Sequence, residues 1–512
     1  MPIDLTQPGS LLVALLPDLV LAIGAMILLL VAAWRPASVE HQRTVGVGAV
    51  VVALLTLATV VYMGMRGDTA AAGPIAVDDF RWAADAVILV GAVLTLLMSI
   101  EYQAREEILT AESHVLVLLA TSGMMLLVAA RDLTLVFLGI ELMSVATYVL
   151  VATNRRSARS AEGALKYFLL GAFSTGFLLY GAALIYGATG TTGYAGITAA
   201  LEAGGLANPL VKPGLALLVV GFGFKVAAAP FHMWAPDAYE GAPTPVTAFM
   251  AATVKAAALA AFMRIFVEAF GAALVEWHFA LWWLAAITMV VGNVVALAQR
   301  NLKRMLAYSS IAHAGYLLVA VVVGVGRGPA TGITGSGALL FYLFAYTLAT
   351  MGAFAVLSAL GTRGDRNLQI EDLGGLWTVR PGLTLAMSTF MLALLGFPVF
   401  GGIGFFAKWY MLQAALRGGA APQTRLAVVL VVTSVISAGY YLYVVAVMFM
   451  RPRAPEAVVP ARLGRLTGTV LTVSAALILI FGFAPTQVLR AMNRSALQGT
   501  LDAARAAVAR TP

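Results

Sequence analysis

The sequence predicts an all-α polytopic membrane protein with about fourteen transmembrane helices. Of its 512 residues, 61% are hydrophobic and 11% are charged, whereas a soluble domain carries about 25% charged residues. A spanning helix needs about 20 largely apolar residues. Stretches that meet this requirement cover residues 11–33, 44–65, 83–100, 113–130, 132–153, 161–187, 210–230, 244–271, 277–298, 303–325, 334–361, 382–414, 425–450 and 466–489.

The composition excludes several classes of function. The chain has no cysteine, so thiolate-ligated iron–sulfur clusters and disulfides are excluded. The longest loops, 188–209 and 362–381, are too short for a nucleotide or flavin domain. Five scattered histidines without HxxxH spacing predict no metal site. Membrane topology accounts for the net charge of +8, so we expect no nucleic-acid partner.

The distribution of basic residues predicts the orientation. The loops after odd-numbered spans carry sixteen Lys and Arg residues, and the other side carries twelve. By the positive-inside rule the odd-numbered loops face the cytoplasm, which places both termini on the outer side. Because no basic residue precedes Arg35, we expect the first span to be retained rather than removed as a signal peptide.

Two five-helix units are predicted to repeat. The segments that start at Arg131 and Arg300 both begin Arg-Asp/Asn-Leu and run into a helix. Gly163 aligns with Gly337 at a similar offset. A unit with an odd number of helices must be inverted relative to the next one. We therefore expect an N-terminal three-helix segment at 1–112, a first repeat at 113–271, a second, inverted repeat at 272–450, and a C-terminal helix and tail at 451–512.

Two of the spans are predicted to be discontinuous. Pro230 follows Lys225 in GFGFKVAAAPFHMW, and Pro398 with three glycines precedes Lys408 in LLGFPVFGGIGFFAKW. Proline removes a backbone hydrogen bond and opens a helix. Such irregular backbone is tolerated within a membrane only where protein packs around it or where it lines water.

Among the ionisable residues inside the apolar runs, five are candidate functional residues: Glu141, Lys166, Lys225, Lys255 and Lys408. Charge within a bilayer is costly, so such groups predict a transport or proton-relay function. A buried lysine can release its proton, and a nearby carboxylate opposes that release. Glu141 and Lys225 could therefore form a switchable pair, although each could also be locked in a structural ion pair or reach the interface.

The remaining candidates differ in depth. Lys255 lies near the centre of its span with no helix breaker beside it, whereas Lys166 lies about five residues into its span and could extend to the interface. His313 suits a proton relay but could equally be a hydrogen-bonded core residue. His232 could guard proton uptake or cap a loop. Asp18 and the Arg131/Asp132 pair could be structural or face a partner.

The string from Phe222 to Ala251, FGFKVAAAPFHMWAPDAYEGAPTPVTAFMA, resembles the signature of the antiporter-like subunits of respiratory complex I, a family related to Mrp-type cation/proton antiporter subunits. Three features are similar to its N-type member. They are the segment DLTLVFLGIELMSVATYVL from Asp132, IEDLGGLW from Ile370, and Lys rather than Glu at position 408. The resemblance covers essentially the whole chain.

This resemblance implies a proton-translocating membrane subunit of NADH:quinone oxidoreductase that holds no redox centre itself. By the matching motifs, Glu141 and Lys225 would form the coupled pair, with Lys166 as a modulator. Lys255 would be the central relay and Lys408 the residue toward the outlet. His232 and His313 would assist proton transfer. NADH, FMN, iron–sulfur clusters and quinone would be bound by other subunits. The neighbours would be M-like, K-like and J-like subunits in a bacterial cytoplasmic membrane.

Three alternatives remain at this point. The chain could be an Mrp-type subunit that exchanges Na⁺ for H⁺, an inert scaffold whose charges are structural, or the equivalent subunit of a complex supplied with electrons by ferredoxin or another donor.

Overall fold

The fold is taken from a computed structural model of the chain. It describes residues 4–5, 7–35, 38–70, 73–324, 333–361, 364–365, 368–399, 401–417, 422–453 and 463–497. Within these ranges helices dominate, and the only extended pairings are isolated bridges. This confirms the predicted all-α class.

The N-terminal segment contains four helices, α1 (Pro8–Ala14), α2 (Leu16–Trp34), α3 (Val39–Arg66) and α4 (Asp79–Glu106). Two of them start at side-chain caps, because Ser38 accepts a hydrogen bond from His41 N and Asp78 accepts one from Arg81 N. Helix α3 ends at Gly67, which adopts the left-handed conformation that glycine tolerates.

The first repeat follows as α5 (Glu112–Ala129), α6 (Leu133–Val151), α7 (Ala158–Thr189), α8 (Tyr194–Glu202), α9 (Val211–Lys225), α10 (Ala235–Gly241), α11 (Thr244–Phe249) and α12 (Lys255–Arg264). Helices α11 and α12 belong to one continuous span, Thr244–Ala269, which includes π-helical turns at Met250–Val254 and Ile265–Ala269. Neighbouring helices bury the whole of its most apolar 18-residue stretch. It therefore forms the core around which the other helices pack.

The second repeat contains α13 (Leu274–Leu297), α14 (Leu302–Val323), α15 (Gly335–Leu360), α16 (Leu376–Val379), α17 (Pro381–Leu395), α18 (Ile403–Arg417) and α19 (Thr424–Met450). The C-terminal part adds α20 (Arg465–Phe483) and α21 (Pro485–Arg494).

The predicted spans and breaks are both found. Twelve helices of the described chain are long and apolar enough to cross a membrane. The two remaining predicted spans are interrupted: one stops at Lys225 before the turn that contains the cis Ala229–Pro230 bond, and the other stops at Leu395 and resumes at Ile403. Twelve continuous and two interrupted spans match the fourteen predicted stretches.

Two backbone hydrogen bonds hold the start of α6, the second helix of the first repeat. Leu133 N donates to Thr192 O at 3.0 Å, and Tyr194 N donates to Arg131 O at 3.0 Å. These bonds fasten the beginning of α6 to the loop that follows α7. They lie on the face of the molecule that also carries both described chain ends, which we name the terminal face.

The same pair of bonds recurs in the second repeat on the opposite side. Leu302 N donates to Leu368 O at 2.9 Å, and Ile370 N donates to Arg300 O at 2.8 Å. They fasten the beginning of α14 to the segment that follows α15. This side holds Asp237, and we name it the Asp237 face. Equivalent fastenings on opposite faces are what an inverted repeat requires.

Candidate functional site

Lys225 ends the first half of the interrupted span and is buried. Its Nζ donates to Ser144 Oγ at 2.8 Å and lies 3.4 Å from the Tyr148 hydroxyl, both on α6. The ammonium group also lies 5.8 Å from the centroid of the Tyr148 ring. Its direct partners are therefore neutral hydroxyls and an aromatic face, which hold an ammonium group without fixing its charge.

Glu141 lies on the same face of α6, one turn before Ser144. No hydrogen bond or ion pair joins Glu141 to Lys225 in the described part of the chain, and the buried Glu141 Oε1 has no hydrogen-bond partner there. The two predicted partners are therefore not in contact, and Lys225 is held by Ser144, which lies one turn after Glu141.

Aromatic contacts lead from Tyr148, beside Lys225, to the backbone of the first break. The rings of Tyr148 and Tyr167 meet edge to face at 4.7 Å between centroids. Tyr167 stacks on Trp234 at 4.3 Å, and the Trp234 indole donates to Phe224 O at 3.0 Å. These contacts join α6, α7 and the backbone of the first break.

Lys255 lies at the centre of the buried span and is 2% exposed. Its Nζ donates to the backbone oxygen and to the hydroxyl of Ser310 on α14. We predicted no irregular backbone beside Lys255, but the π-helical turn Met250–Val254 ends immediately before it. The extra residue in such a turn re-aims the side chain that follows, and these turns are frequent at functional sites.

His313 connects the centre to the second break. The Tyr342 hydroxyl lies 2.8 Å from His313 Nδ1, and the Tyr441 hydroxyl lies 3.1 Å from Nε2. The His313 ring packs on the Tyr346 ring, with 4.8 Å between their centroids. The Tyr346 hydroxyl lies beside Ser310, which is the hydrogen-bond partner of Lys255. Histidine and hydroxyl groups can both donate and accept, so this arrangement is suited to proton transfer.

Lys408 is buried at the start of the resumed helix α18. Its Nζ donates to Leu395 O at 2.8 Å, a carbonyl freed by the break, and lies 4.8 Å from the Tyr316 ring centroid. A narrow cavity lined in part by Lys408, His313 and Tyr342 separates the lysine from the histidine. As at Lys225, no carboxylate touches the ammonium group among the described residues.

Lys166 lies apart from this row. Its side chain is 44% exposed and pairs with Glu162 at 2.7 Å and with Asp237 at 2.8 Å on the Asp237 face. Arg304 also contacts Asp237 at 2.8 Å. Burial raises the pKa of Asp237, but hydrogen bonds from Lys166 and Arg304 outweigh burial and lower it below its ordinary value. Lys166 therefore belongs to a surface ion-pair network.

The other predicted site residues shape the two breaks. Pro230 forms the cis bond in the first break, and Pro398 is exposed in the second. His232 is half-buried beside Tyr308, at 6.4 Å between rings, and its Nδ1 has no hydrogen-bond partner within the described chain. No described contact joins His232 to the lysine row.

A network of charges on the terminal face was not predicted as a unit. Asp78 contacts Arg264 at 2.7 Å and Arg131 at 3.1 Å, and Glu268 contacts the same two arginines at 2.7 and 2.9 Å. Burial raises the pKa of Asp78, but Arg264 and Arg131 outweigh it and lower the pKa to about 2. Both carboxylates here are held by permanent charges.

The hydroxyl partners of the lysines and of His313 were also missed: Ser144, Tyr148, Ser310, Tyr342 and Tyr441. A weak signal existed for the first two, which follow Glu141 at helical spacings of three and seven residues. The others come from distant helices and leave no local pattern. Within the described residues no group of three His, Asp or Glu side chains could hold a metal ion.

Comparisons with known proteins agree with this architecture. Residues 130–437 match the family described as NADH:quinone oxidoreductase/Mrp antiporter, TM. The chain is 52% identical over 501 residues to the NADH-quinone oxidoreductase subunit N of Gemmatimonas aurantiaca, an alignment that covers 96% of this chain and 95% of that protein.

Two solved structures share the fold. A chain of respiratory complex I from Thermus thermophilus is 38% identical, with a TM-score of 0.76 over 94% of this chain and 100% of the other. A chain of the Mrp complex from Dietzia sp. is 21% identical and has a TM-score of 0.81 over 94% and 97%, which shows a common fold. The chain therefore belongs to the NADH:quinone oxidoreductase/Mrp antiporter family, and within it to the N-type membrane-arm subunits of NADH-quinone oxidoreductase.

Proposed function

We propose that this subunit moves protons along a row formed by Glu141, Lys225, Lys255, His313 and Lys408, driven by redox chemistry in other subunits. The observation that carries the proposal is the chemical character of the row. Its lysines are buried at the two breaks and beside the central π-helical turn, and its histidine is buried on α14. The partners of these groups are hydroxyls and carbonyls.

The first step is electrostatic. A change of charge in a neighbouring subunit alters Glu141, whose field at Lys225 is strong because the medium between them is poorly polarisable. Lys225 then releases or takes up a proton, since burial without a contacting carboxylate favours the neutral amine. Ser144 Oγ keeps the Lys225 side chain directed at α6 whether its amine is protonated or neutral.

The later steps pass through hydroxyl groups and water. From Lys225 the proton moves past Tyr148 and Tyr167 toward Lys255. Ser310 and Tyr346 then link Lys255 to His313, and the cavity beside Tyr342 links His313 to Lys408. Each group can donate and accept in turn, which a row of permanently charged side chains could not do.

Lys166 fits a modulating role in this scheme. Lys166 contacts Asp237, which also pairs with Arg304 at the edge of the first break. A change in this network would alter the charge near the site of proton uptake, although Lys166 itself does not lie on the route. His232, in the same break, is placed to assist uptake.

Finer assignments complete the proposal. We propose that the chain carries no redox centre and that NADH, FMN, iron–sulfur clusters and quinone bind to other subunits. Its neighbours would be M-like, K-like and J-like subunits of the membrane arm. The subunit would lie in the bacterial cytoplasmic membrane with the terminal face outward, and the domain boundaries remain those predicted above.

Replacement of Lys255 by alanine in the assembled complex tests the proposal. The matched control is Lys212→Ala, because Lys212 is an exposed lysine paired with Glu276 at the surface. In proteoliposomes we expect Lys255→Ala to lower the number of protons translocated per NADH oxidised, while NADH oxidation by the soluble arm persists. Lys212→Ala should match wild type.

Two results would contradict the proposal. One is an assembled Lys255→Ala complex that pumps as wild type does, which would favour a scaffold role. The other is Na⁺/H⁺ exchange by the isolated chain in liposomes, which would favour an Mrp-type antiporter.

A further inference from the structure

A groove with mainly apolar walls runs between α17 and α20, two helices that both pack on α15. We name it the α17–α20 groove. Its volume is about 710 Å³, within the range of about 300–1,000 Å³ that ligand sites occupy. Leucine and alanine side chains of the two helices form most of its walls: Leu383, Leu385, Ala386, Leu471, Ala475 and Leu479. A ligand that enters this groove must therefore carry a largely apolar part.

The groove is about as deep as one leaflet of a membrane. It starts on the Asp237 face, because α17 follows the segment that is fastened to α14 on that face. The lining residues reach Thr389, nine residues after Arg380, on α17, and Leu479, fourteen residues after the first residue of α20. At a rise of 1.5 Å per residue, these distances are about 14 and about 21 Å. Half of the hydrocarbon core of a bilayer measures about 15 Å.

The second break closes the inner end of the groove. An added Cβ at Gly482 of α20 would lie 2.5 Å from Gly402 Cα, so the backbone of the break packs directly on α20 just beyond Leu479. A partner helix that crossed the membrane along this groove would need about 30 Å. A groove that ends after one leaflet therefore fits an acyl chain rather than a spanning helix.

The mouth of the groove carries a positive charge. Arg380 lies directly before α17 and is the only charged residue that lines the groove in the part of the chain that the structure describes. Trp377, three residues earlier, is 41% exposed and packs on Phe449 with 5.0 Å between the ring centroids. Tryptophan is enriched at the level of the lipid headgroups. Arg380 therefore lies at the depth at which lipid phosphates are found.

The first turns of α17 and α20 differ in how they are capped. Glu101 of α4 caps α20, since it accepts hydrogen bonds from Leu466 N at 2.8 Å and from Thr467 N at 2.9 Å. No described side chain caps α17, and an added Cβ at Gly382 in its first turn would face open space. The start of a helix attracts negative charge. The first turn of α17 therefore adds to the attraction that Arg380 exerts on an anion at the mouth.

We propose that the α17–α20 groove binds one glycerophospholipid of the leaflet on the Asp237 face. Its phosphate contacts Arg380 and the first turn of α17, and one acyl chain lies between the two helices. The negative phosphate matches the charge at the mouth, and the chain matches the apolar walls and their depth. This site goes beyond the proposed function and does not depend on it, because no residue that lines the groove belongs to the proton row.

Photocrosslinking in the assembled complex tests the proposal. The complex is washed free of lipid in dodecyl maltoside and given a small amount of phosphatidylglycerol that carries a diazirine on its acyl chain. Mass spectrometry should find labelled peptides from both 381–395 and 465–483. Ala475→Trp fills the groove and should lower this labelling severalfold. Val473→Trp is the matched control, because Val473 is an exposed residue of α20 that does not line the groove.

Arg380→Gln tests the mouth without filling the groove. Loss of one hydrogen bond to a charged group corresponds to about tenfold in affinity, so we expect the labelling to fall about tenfold. Arg156→Gln is the matched control, because Arg156 is an exposed arginine that pairs with Glu107 away from the groove. An excess of inorganic phosphate should leave the labelling of wild type unchanged, since a free anion has no acyl chain to fill the groove.

Three results would overturn the proposal. Labelling in either Ala475→Trp or Arg380→Gln that equals wild type would mean that the peptides contact mobile lipid without a specific site. Wild-type complex without label in either peptide would mean that a neighbouring subunit covers the groove. Loss of the label in excess inorganic phosphate would show a site for a free anion. If Ala475→Trp does not assemble, Arg380→Gln decides the question alone.

Discussion

The lysines of the proposed row and the arginines Arg81 and Arg264 are all buried, but the groups around them differ in charge. Lys225, Lys255 and Lys408 contact hydroxyls, carbonyls and aromatic rings. Arg81 and Arg264 each contact two carboxylates. Carboxylates fix a charge, whereas neutral partners allow the charge to come and go. The surroundings of Arg81 and Arg264 therefore suit permanent cations, and those of the three lysines suit the titrating role proposed above.

Exchange of lysine for arginine breaks this comparison most directly. Lys225→Arg and Lys408→Arg keep the positive charge, but a guanidinium group does not release its proton in proteins. We expect proton translocation by the reconstituted complex to fall about 100-fold in each, the scale on which a missing proton donor slows transfer. The converse exchange, Arg131→Lys, should leave translocation intact. Normal pumping by Lys225→Arg would mean that this site contributes only charge.

Neutralisation of Glu141 should have a smaller effect, because Glu141 acts on Lys225 without contact. Glu141→Gln should lower the translocation rate about tenfold, which corresponds to about one pKa unit at the site it influences. The control on the other half is Tyr316→Phe, which keeps the ring face beside Lys408. If Tyr316→Phe lowered the translocation rate more than Glu141→Gln did, the Glu141 carboxylate would not be what distinguishes the site of Lys225 from that of Lys408.

The terminal-face network should control stability rather than transport. Asp78→Asn should destabilise the folded subunit by about 2 kcal/mol, because the pKa of Asp78 falls from 3.8 to about 2 and each unit corresponds to about 1.4 kcal/mol. A depressed carboxyl pKa stabilises above the unfolded value and loses that contribution as pH falls toward the folded value. The difference in thermal stability between wild type and variant in detergent should therefore persist down to about pH 4 and shrink below it. A difference that grew with acidity would contradict this assignment.

The smallest effect is expected at Lys166. Its pairs with Glu162 and Asp237 are partly exposed, and solvent screens such pairs strongly. Lys166→Ala should therefore change the translocation rate far less than Lys225→Arg does. A loss as large as that of Lys225→Arg would place Lys166 in the row after all.

The sequence was sufficient for the spans, the two breaks and the buried lysines, because hydropathy, proline and isolated charges are local signals. It did not reveal the partners of those lysines. Ser310 and Tyr441 reach Lys255 and His313 only through packing of distant helices, and a hydroxyl in an apolar helix is common. The π-helical turn before Lys255 has no characteristic amino-acid composition, so the sequence around Lys255 is typical of a regular helix. Arg264 was overlooked because it lies near the end of a long span, where a charged residue is unremarkable in sequence.

The central position of Lys255 also has an electrical consequence. It stands eleven residues after the start of the span Thr244–Ala269 and fourteen before its end, close to halfway across. A charge that crosses the whole membrane works against about 2.3 kcal/mol per 100 mV, so a proton at Lys255 has met about half of that. Along the proposed route, the membrane voltage therefore opposes proton transfer to Lys255 from one side and proton transfer from Lys255 to the other side in nearly equal parts. Neither step alone works against the full voltage.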